Sequence, residues 1–215
     1  MSGHLHWNTV SPLLRSTLQQ LSNSKPFIPF YLVGGTSLSL QLGHRTSVDI
    51  DLFTDFPYES IDFEEIDNYL RASFAYVTHP LTGAVGMGRS YFIGSTPQKA
   101  VKLDLYYTDT FLFPPLQKEN IRLATVEDIT AMKIDVIQRL GRKKDFWDLH
   151  ELLDHFTISE MIQLHKRRYP YIHDEQLIRK NLSDFSIADD DFEPICLRGK
   201  HWEIIRLEMA QAASH

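Results

Sequence analysis

Apolar positions recur at helical spacing through residues 10–22, where Leu13, Leu14, Leu18 and Leu21 share one side of a predicted helix. The run 27–33 then reads as a buried strand, broken by Gly34-Gly35. Thr36 stands where it can cap a short helix through about Leu42, and residues 47–53 form a second strand. A surface helix is predicted over 61–74, followed by a glycine-punctuated hairpin over 84–107 that ends in the alternating stretch 101–107. Pro114-Pro115 marks a break, after which the signals are helical over 125–140, 145–156, 157–168, 174–184 and 200–213. Thr125 with Asp128, and Thr157 with Glu160, are capping-box-like starts. The pattern divides the chain into an α/β half, about 1–115, and an all-α half, about 116–215, with no internal repeat.

Composition narrows the class. With 43% hydrophobic and 23% charged residues over 215 positions, the chain has the balance of a soluble globular protein. No apolar run is long enough to span a bilayer and the first residues lack the pattern of a secretion signal, so a cytoplasmic protein without a membrane partner is expected. A single cysteine, Cys196, excludes an intramolecular disulfide framework and a cysteine-based zinc cluster. The ten histidines show no two-histidine metal spacing with a companion acid, and His44 and His150 are expected as surface or packing residues. A net charge of −6 argues against nucleic-acid binding by the whole surface and leaves room for a local basic patch.

The candidate chemistry lies at residues 34–53. Alternation in a strand points Asp49 and Asp51 the same way, about 7 Å apart, while Val48, Ile50 and Leu52 cover the other face. Like charges aligned on a sheet face are costly unless a cation neutralises them, and hard divalent metals prefer such oxygen ligands. Asp104, between Leu103 and Leu105, repeats the device, and three strand carboxylates could hold two metals for phosphoryl or nucleotidyl transfer. The plainer reading is an acidic pair on an exposed edge strand. Gly34 and Gly35 allow a tight turn against a ligand, and the helix after them offers free N–H groups to a phosphate, with the Thr36 hydroxyl as a further donor.

On a helix over 126–140, Val126, Ile129, Met132, Val136, Ile137 and Leu140 form one apolar stripe, and Lys133 falls inside it. Its ammonium must either snorkel to an edge or meet anions inside the molecule, such as the phosphates of a nucleotide. Arg139, Arg142, Lys143 and Lys144 follow, where cations also complement a helix C-terminus without any substrate. Asp145 and Asp148 share one side of the next helix, and Asp145 also suits a first-turn acid. The stretch 165–173 interleaves basic and aromatic residues, as an RNA contact or a solvated helix end would.

Residues 31–53 resemble the first motif of the AbiEii/AbiGii-type toxin nucleotidyltransferases, members of the DNA-polymerase-β-like superfamily, and residues 124–153 resemble their later lysine and aspartate motifs. The resemblance implies a polymerase-β-like mixed α/β (α+β) sheet with flanking helices, joined to an all-α C-terminal half. It implies Mg²⁺- or Mn²⁺-dependent transfer of a nucleotide from a nucleoside triphosphate to an RNA, tRNA or protein acceptor, with a cognate antitoxin as partner. Carried over, Asp49, Asp51 and Asp104 would hold metal, and Asp145 or Asp148 would match the acidic motif. Gly34, Gly35, Thr36, Lys133 and Arg139 would bind the nucleotide. The alternatives are an idle nucleotide- or antitoxin-binding module and a phosphotransferase.

Overall fold

The computed structural model describes residues 4–79 and 87–214. Helix α1 (Pro12–Ser22) is capped by Ser11, whose side chain accepts the Leu14 N–H, and it buries Leu14, Leu18 and Leu21. Strand β1 is only Tyr31–Leu32. The predicted strand over 27–33 is shorter because Pro26 and Pro29 cannot donate to a ladder, and Lys25–Phe27 winds into a 3₁₀ turn instead. Helix α2 (Gly34–Leu42) starts two residues earlier than Thr36, with Val33 at its N-cap, so the expected threonine cap is not formed. Strand β2 (Asp49–Thr54), helix α3 (Phe63–Ser73) and strands β3 (Tyr76–Val77), β4 (Gly88–Thr96) and β5 (Lys99–Tyr107) follow. The first residues of the predicted hairpin, 84–86, lie outside the described residues.

A further hairpin, β6 (Leu116–Lys118) and β7 (Ile121–Leu123), falls beyond the proline break and joins the same sheet. Among the described residues, seven strands run in the order β3-β4-β5-β2-β1-β7-β6. Pairing is mixed: β2 runs parallel to β5, β1 parallel to β7, and the remaining neighbours are antiparallel. Helices α4 (Val126–Gln138), α5 (Lys143–Leu152), α6 (Ile158–Arg168), α7 (Glu175–Asn181), α8 (Ser186–Asp189) and α9 (Trp202–Ala213) complete the chain.

Among the described residues, two large apolar cores result beside a small one around Ala131, Leu164 and Tyr169. One packs α1 and α3 on the sheet through Leu14, Leu18, Ile66, Leu70, Ile50 and Leu103. The other joins the C-terminal helices through Ile134, Phe146, Met161 and a stacked Trp147–Trp202 pair. Helix α2 belongs to both, Leu40 facing the first core and Leu38 the second, so the turn at its start is held between sheet and helices. A second tie runs from the approach to β2, where the Thr46 N–H donates to the Ile195 carbonyl at 2.9 Å. Among the described residues, no helix is long and apolar enough to cross a membrane.

Candidate active site

Strand alternation buries Ile50, Leu52, Leu103 and Leu105 and turns Asp49, Asp51, Lys102 and Asp104 to the opposite face. Parallel register sets Asp51 beside Asp104 and Asp49 beside Lys102. Burial first, then the charges of Asp104 and Asp49, push Asp51 up to about 6. The oxygen-only donors suit a hard divalent ion, and Asp104 Oδ1 is buried without a hydrogen-bond partner. Asp104 Oδ2, however, receives the Lys102 ammonium at 2.5 Å. Among the described residues, no three His, Cys, Asp or Glu side chains converge as a ligand set. Asp49, Asp51 and Asp104 are thus neighbours in register, with Lys102 on one oxygen of Asp104.

The glycine turn is built against these carboxylates. Gly34 has a φ of 66°, and a Cβ there would lie 2.5 Å from Asp51 Oδ2. A Cβ on Gly35 would strike the Arg45 guanidinium. Thr36 is buried, and its hydroxyl donates to the Asp49 carbonyl and lies 2.7 Å from Ser47 Oγ. That engagement fastens α2 to β2 and leaves the hydroxyl turned inward, away from the phosphate role expected for it.

Behind the turn sits a buried charge cluster centred on Asp148. Arg45 binds it with both Nε (2.6 Å) and Nη2 (2.8 Å), His44 Nε2–H donates at 2.8 Å, and Lys133 Nζ lies 2.7 Å away. Burial alone would raise the Asp148 carboxyl, but Arg45, Lys133 and the hydrogen bonds from His44 and Arg45 outweigh it and hold it well below the usual range. Lys133 Nζ is also 2.7 Å from Asp145 Oδ1, and Asp145 Oδ2 accepts the Arg142 N–H at the start of α5. Lys133 thus does not snorkel; the anions it meets are carboxylates of its own chain. Burial opposes its charge, and Asp145 and Asp148 more than compensate, raising its pKa. Asp145 is a first-turn helix acid and a lysine partner at once.

Two adjoining cavities of about 360 and 340 Å³ open over this framework, and Gly35, Asp51, Lys133, Arg142 and Lys144 line both. The first is walled by Val48, Asp49, Asp191 and the segment 192–195, with Phe192 90% exposed. The second has a more apolar floor of Phe53, Ile129, Met132 and Tyr169, with Asp135 and Arg139 at its side. Arg139 is spent largely on Asp135, and Arg142 on Asp191 at 2.8 Å. Lys144 has no ion-pair partner among the described residues.

The sequence pattern did not single out Arg45, and His44, expected at the surface or in packing, is buried on Asp148; Lys144 was set aside as helix-end charge. The signal for Lys144 was the helix boundary. Helix α5 begins at Lys143, so Lys143 and Lys144 occupy a first turn, where the helix dipole disfavours cations. The basic stretch 165–173 is partly structural: Arg168 is buried on Asp128 at 2.7 Å, whereas Lys166, Arg167 and Tyr171 are exposed.

Residues 16–215 match the family described as nucleotidyl transferase AbiEii toxin, type IV TA system. An uncharacterized protein of Aquifex aeolicus is 31% identical over 188 residues, covering 81% of each chain. Among solved structures, a candidate nucleotidyltransferase from H. pylori superposes with a TM-score of 0.60 at 19% identity, covering 94% of this chain and 90% of that one. MenT4, a nucleotidyltransferase toxin from Mycobacterium tuberculosis, superposes with a TM-score of 0.54 at 14% identity, covering 94% and 82%. At these identities the two structures establish a shared fold.

Proposed function

Because the chain belongs to the AbiEii family of nucleotidyltransferase toxins of type IV toxin–antitoxin systems, we propose that it transfers a nucleoside monophosphate from an NTP to an RNA end, with Mg²⁺ or Mn²⁺ as cofactor and a cognate antitoxin as partner. The observation that carries this reading is the junction of the two cavities. There a carboxylate (Asp51), a glycine-led helix start (Gly35) and an ammonium without an ion-pair partner among the described residues (Lys144) line one space.

The residues divide the work by their chemistry. The first N–H groups of α2 have no intrahelical partner and suit the phosphate tail, with Lys144 as its principal cation. Lys133 has one N–H left after its two aspartates, and it adds charge from beneath. A divalent ion would be held by Asp49 and Asp51, with Asp104 beside them, and would neutralise charge on the α-phosphate. Asp148, Arg45 and His44 are positioning residues: Arg45, held by Asp148, backs the Gly35 turn, and His44 shares the same carboxylate. An acceptor hydroxyl attacks the α-phosphorus, forming a P–O bond and losing its proton, while the bond to pyrophosphate breaks.

RNA is favoured over protein as acceptor by the cleft rim. Phe192 stands exposed in the wall of the cavity that Lys144 also lines, between Asp191 and Glu193, and an aromatic face near a cation suits an unpaired base and its phosphate. Incubation with each α-labelled NTP, Mg²⁺ and either total RNA or total protein tests the reading. Label in RNA supports it, and label only in protein replaces the acceptor. Label in neither, with NTP still bound, leaves a nucleotide-binding module.

A further inference from the structure

The open face of β2 and β5 carries a grid of four charged side chains, Asp49 beside Lys102 and Asp51 beside Asp104. Three are anions and one is a cation. The Lys102 ammonium sits on Asp104 at 2.5 Å, with its side chain 37% and that of Asp104 15% exposed. Lys102 cannot be moved to the other face without slipping the whole strand by one residue, which would expose Leu103 and Leu105. Its place is therefore set by the same register that aligns the acids.

We propose that Lys102 is a built-in cation of the active site, standing in for a second metal, so that the chain holds one divalent ion where three strand carboxylates would otherwise take two. This rests on the nucleotidyltransferase reading of the same cleft. Three carboxylates and one lysine give the grid a net charge of −2, which one divalent ion neutralises. Without the lysine the charge is −3, and a single ion leaves an excess anion. Topology sets the lysine on a definite flank. β5 and β1 lie on opposite sides of β2, and the glycine turn follows β1. Lys102 thus stands on the flank away from the phosphate-binding turn, and neither Lys102 nor Asp104 lines the two cavities. An ion held by Asp49 and Asp51 would face the triphosphate, while the ammonium neutralises Asp104 at the far side.

Manganese binding to the full chain, followed by the paramagnetic resonance of free Mn²⁺, tests this without any turnover. Ions lost on Asp51→Asn count those held by the site. The expected result is one such ion in the wild type. Lys102→Met should bind it roughly tenfold more tightly, since a like charge is removed from its neighbourhood, and should take up a second ion. Lys102→Arg should keep the wild-type stoichiometry. Thermal melts show that each variant is folded, and Lys102→Gln serves where the methionine variant is not. Two site ions in the wild type overturn the inference, as does a folded Lys102→Met or Lys102→Gln protein with unchanged affinity and one ion. Mn²⁺ bound equally by wild type and Asp51→Asn, or by neither, overturns the metal site itself and this inference with it.

Discussion

Replacing Lys133 by methionine removes an ammonium that lies 2.7 Å from both Asp145 and Asp148 while keeping the aliphatic stem that packs in α4. Breaking a buried ion pair by deleting one partner costs about 3–5 kcal/mol, because an uncompensated charge is left behind. The loss here is shared unequally. Asp148 retains two bonds from Arg45 and one from His44, so it stays solvated by the protein. Asp145 keeps only the Arg142 N–H. The expected destabilisation is therefore roughly 2–4 kcal/mol, a fall of about 5–15 °C in melting temperature for a chain of this size. Urea unfolding of wild type, Lys133→Met and Lys133→Met with Asp145→Asn measures it. The double variant should recover part of the loss, since the stranded carboxylate has been neutralised. A Lys133→Met protein within about 0.5 kcal/mol of wild type, the outcome for a snorkelling lysine, would refute the buried-cluster account. Lost activity in this variant alone would not make Lys133 a phosphate ligand, because the turn it supports would be disturbed as well.

Lys144→Gln should leave the melting temperature unchanged and weaken Mg-NTP binding by about one to two orders of magnitude, as expected for a charge-assisted phosphate contact. Calorimetric titration with unchanged affinity would remove Lys144 from the site. In the presence of a chelator, Asp51 makes stability depend on pH in a defined direction. Its folded pKa of about 6 lies above the ordinary 3.8, so stability is fully present below about pH 4 and is lost as pH rises through about 6. The loss is up to about 3 kcal/mol at about 1.4 kcal/mol per pH unit, and Asp51→Asn should abolish it; melts that show the same trend in both proteins would contradict this. Gly34→Ala should cost about 1–3 kcal/mol, because φ is 66° and the new methyl meets Asp51 Oδ2. It should also displace Asp51 enough to weaken Mn²⁺ binding, and a fully stable variant with wild-type Mn²⁺ affinity would disprove the close approach.

The carboxylate face was legible in the sequence because it depends only on strand alternation, which places Asp49 and Asp51 together wherever β2 pairs. The placing of Asp104 beside Asp51 needed strand order, and no local pattern told that β5 runs parallel to β2. Lys102 was overlooked for the same reason: the alternation that selected Asp104 also selects the residue two before it, but a lysine in a strand is ordinarily a solvated edge. Arg45 and His44 lie in a short connection whose chain neighbours do not include Asp148, so their pairing appears only when α5 packs behind α2. Local chemistry misled at Thr36, a good capping residue by type, because Asp49 offered its hydroxyl a backbone carbonyl. The hairpin β6–β7 escaped notice since each strand has three residues and its apolar content resembles the helices that follow.

In the proposed reaction one cleft cuts an NTP between its α- and β-phosphates and moves the α-side to an acceptor. An NTP labelled differently at the α- and γ-phosphates, incubated with the wild-type chain, Mg²⁺ and total RNA, measures this most directly. The account predicts α-label on RNA in equal amount to γ-label released as pyrophosphate, with both lost in Asp49→Asn and in Asp51→Asn. The γ-label on the acceptor with NDP released, or full transfer by either aspartate variant, would contradict it.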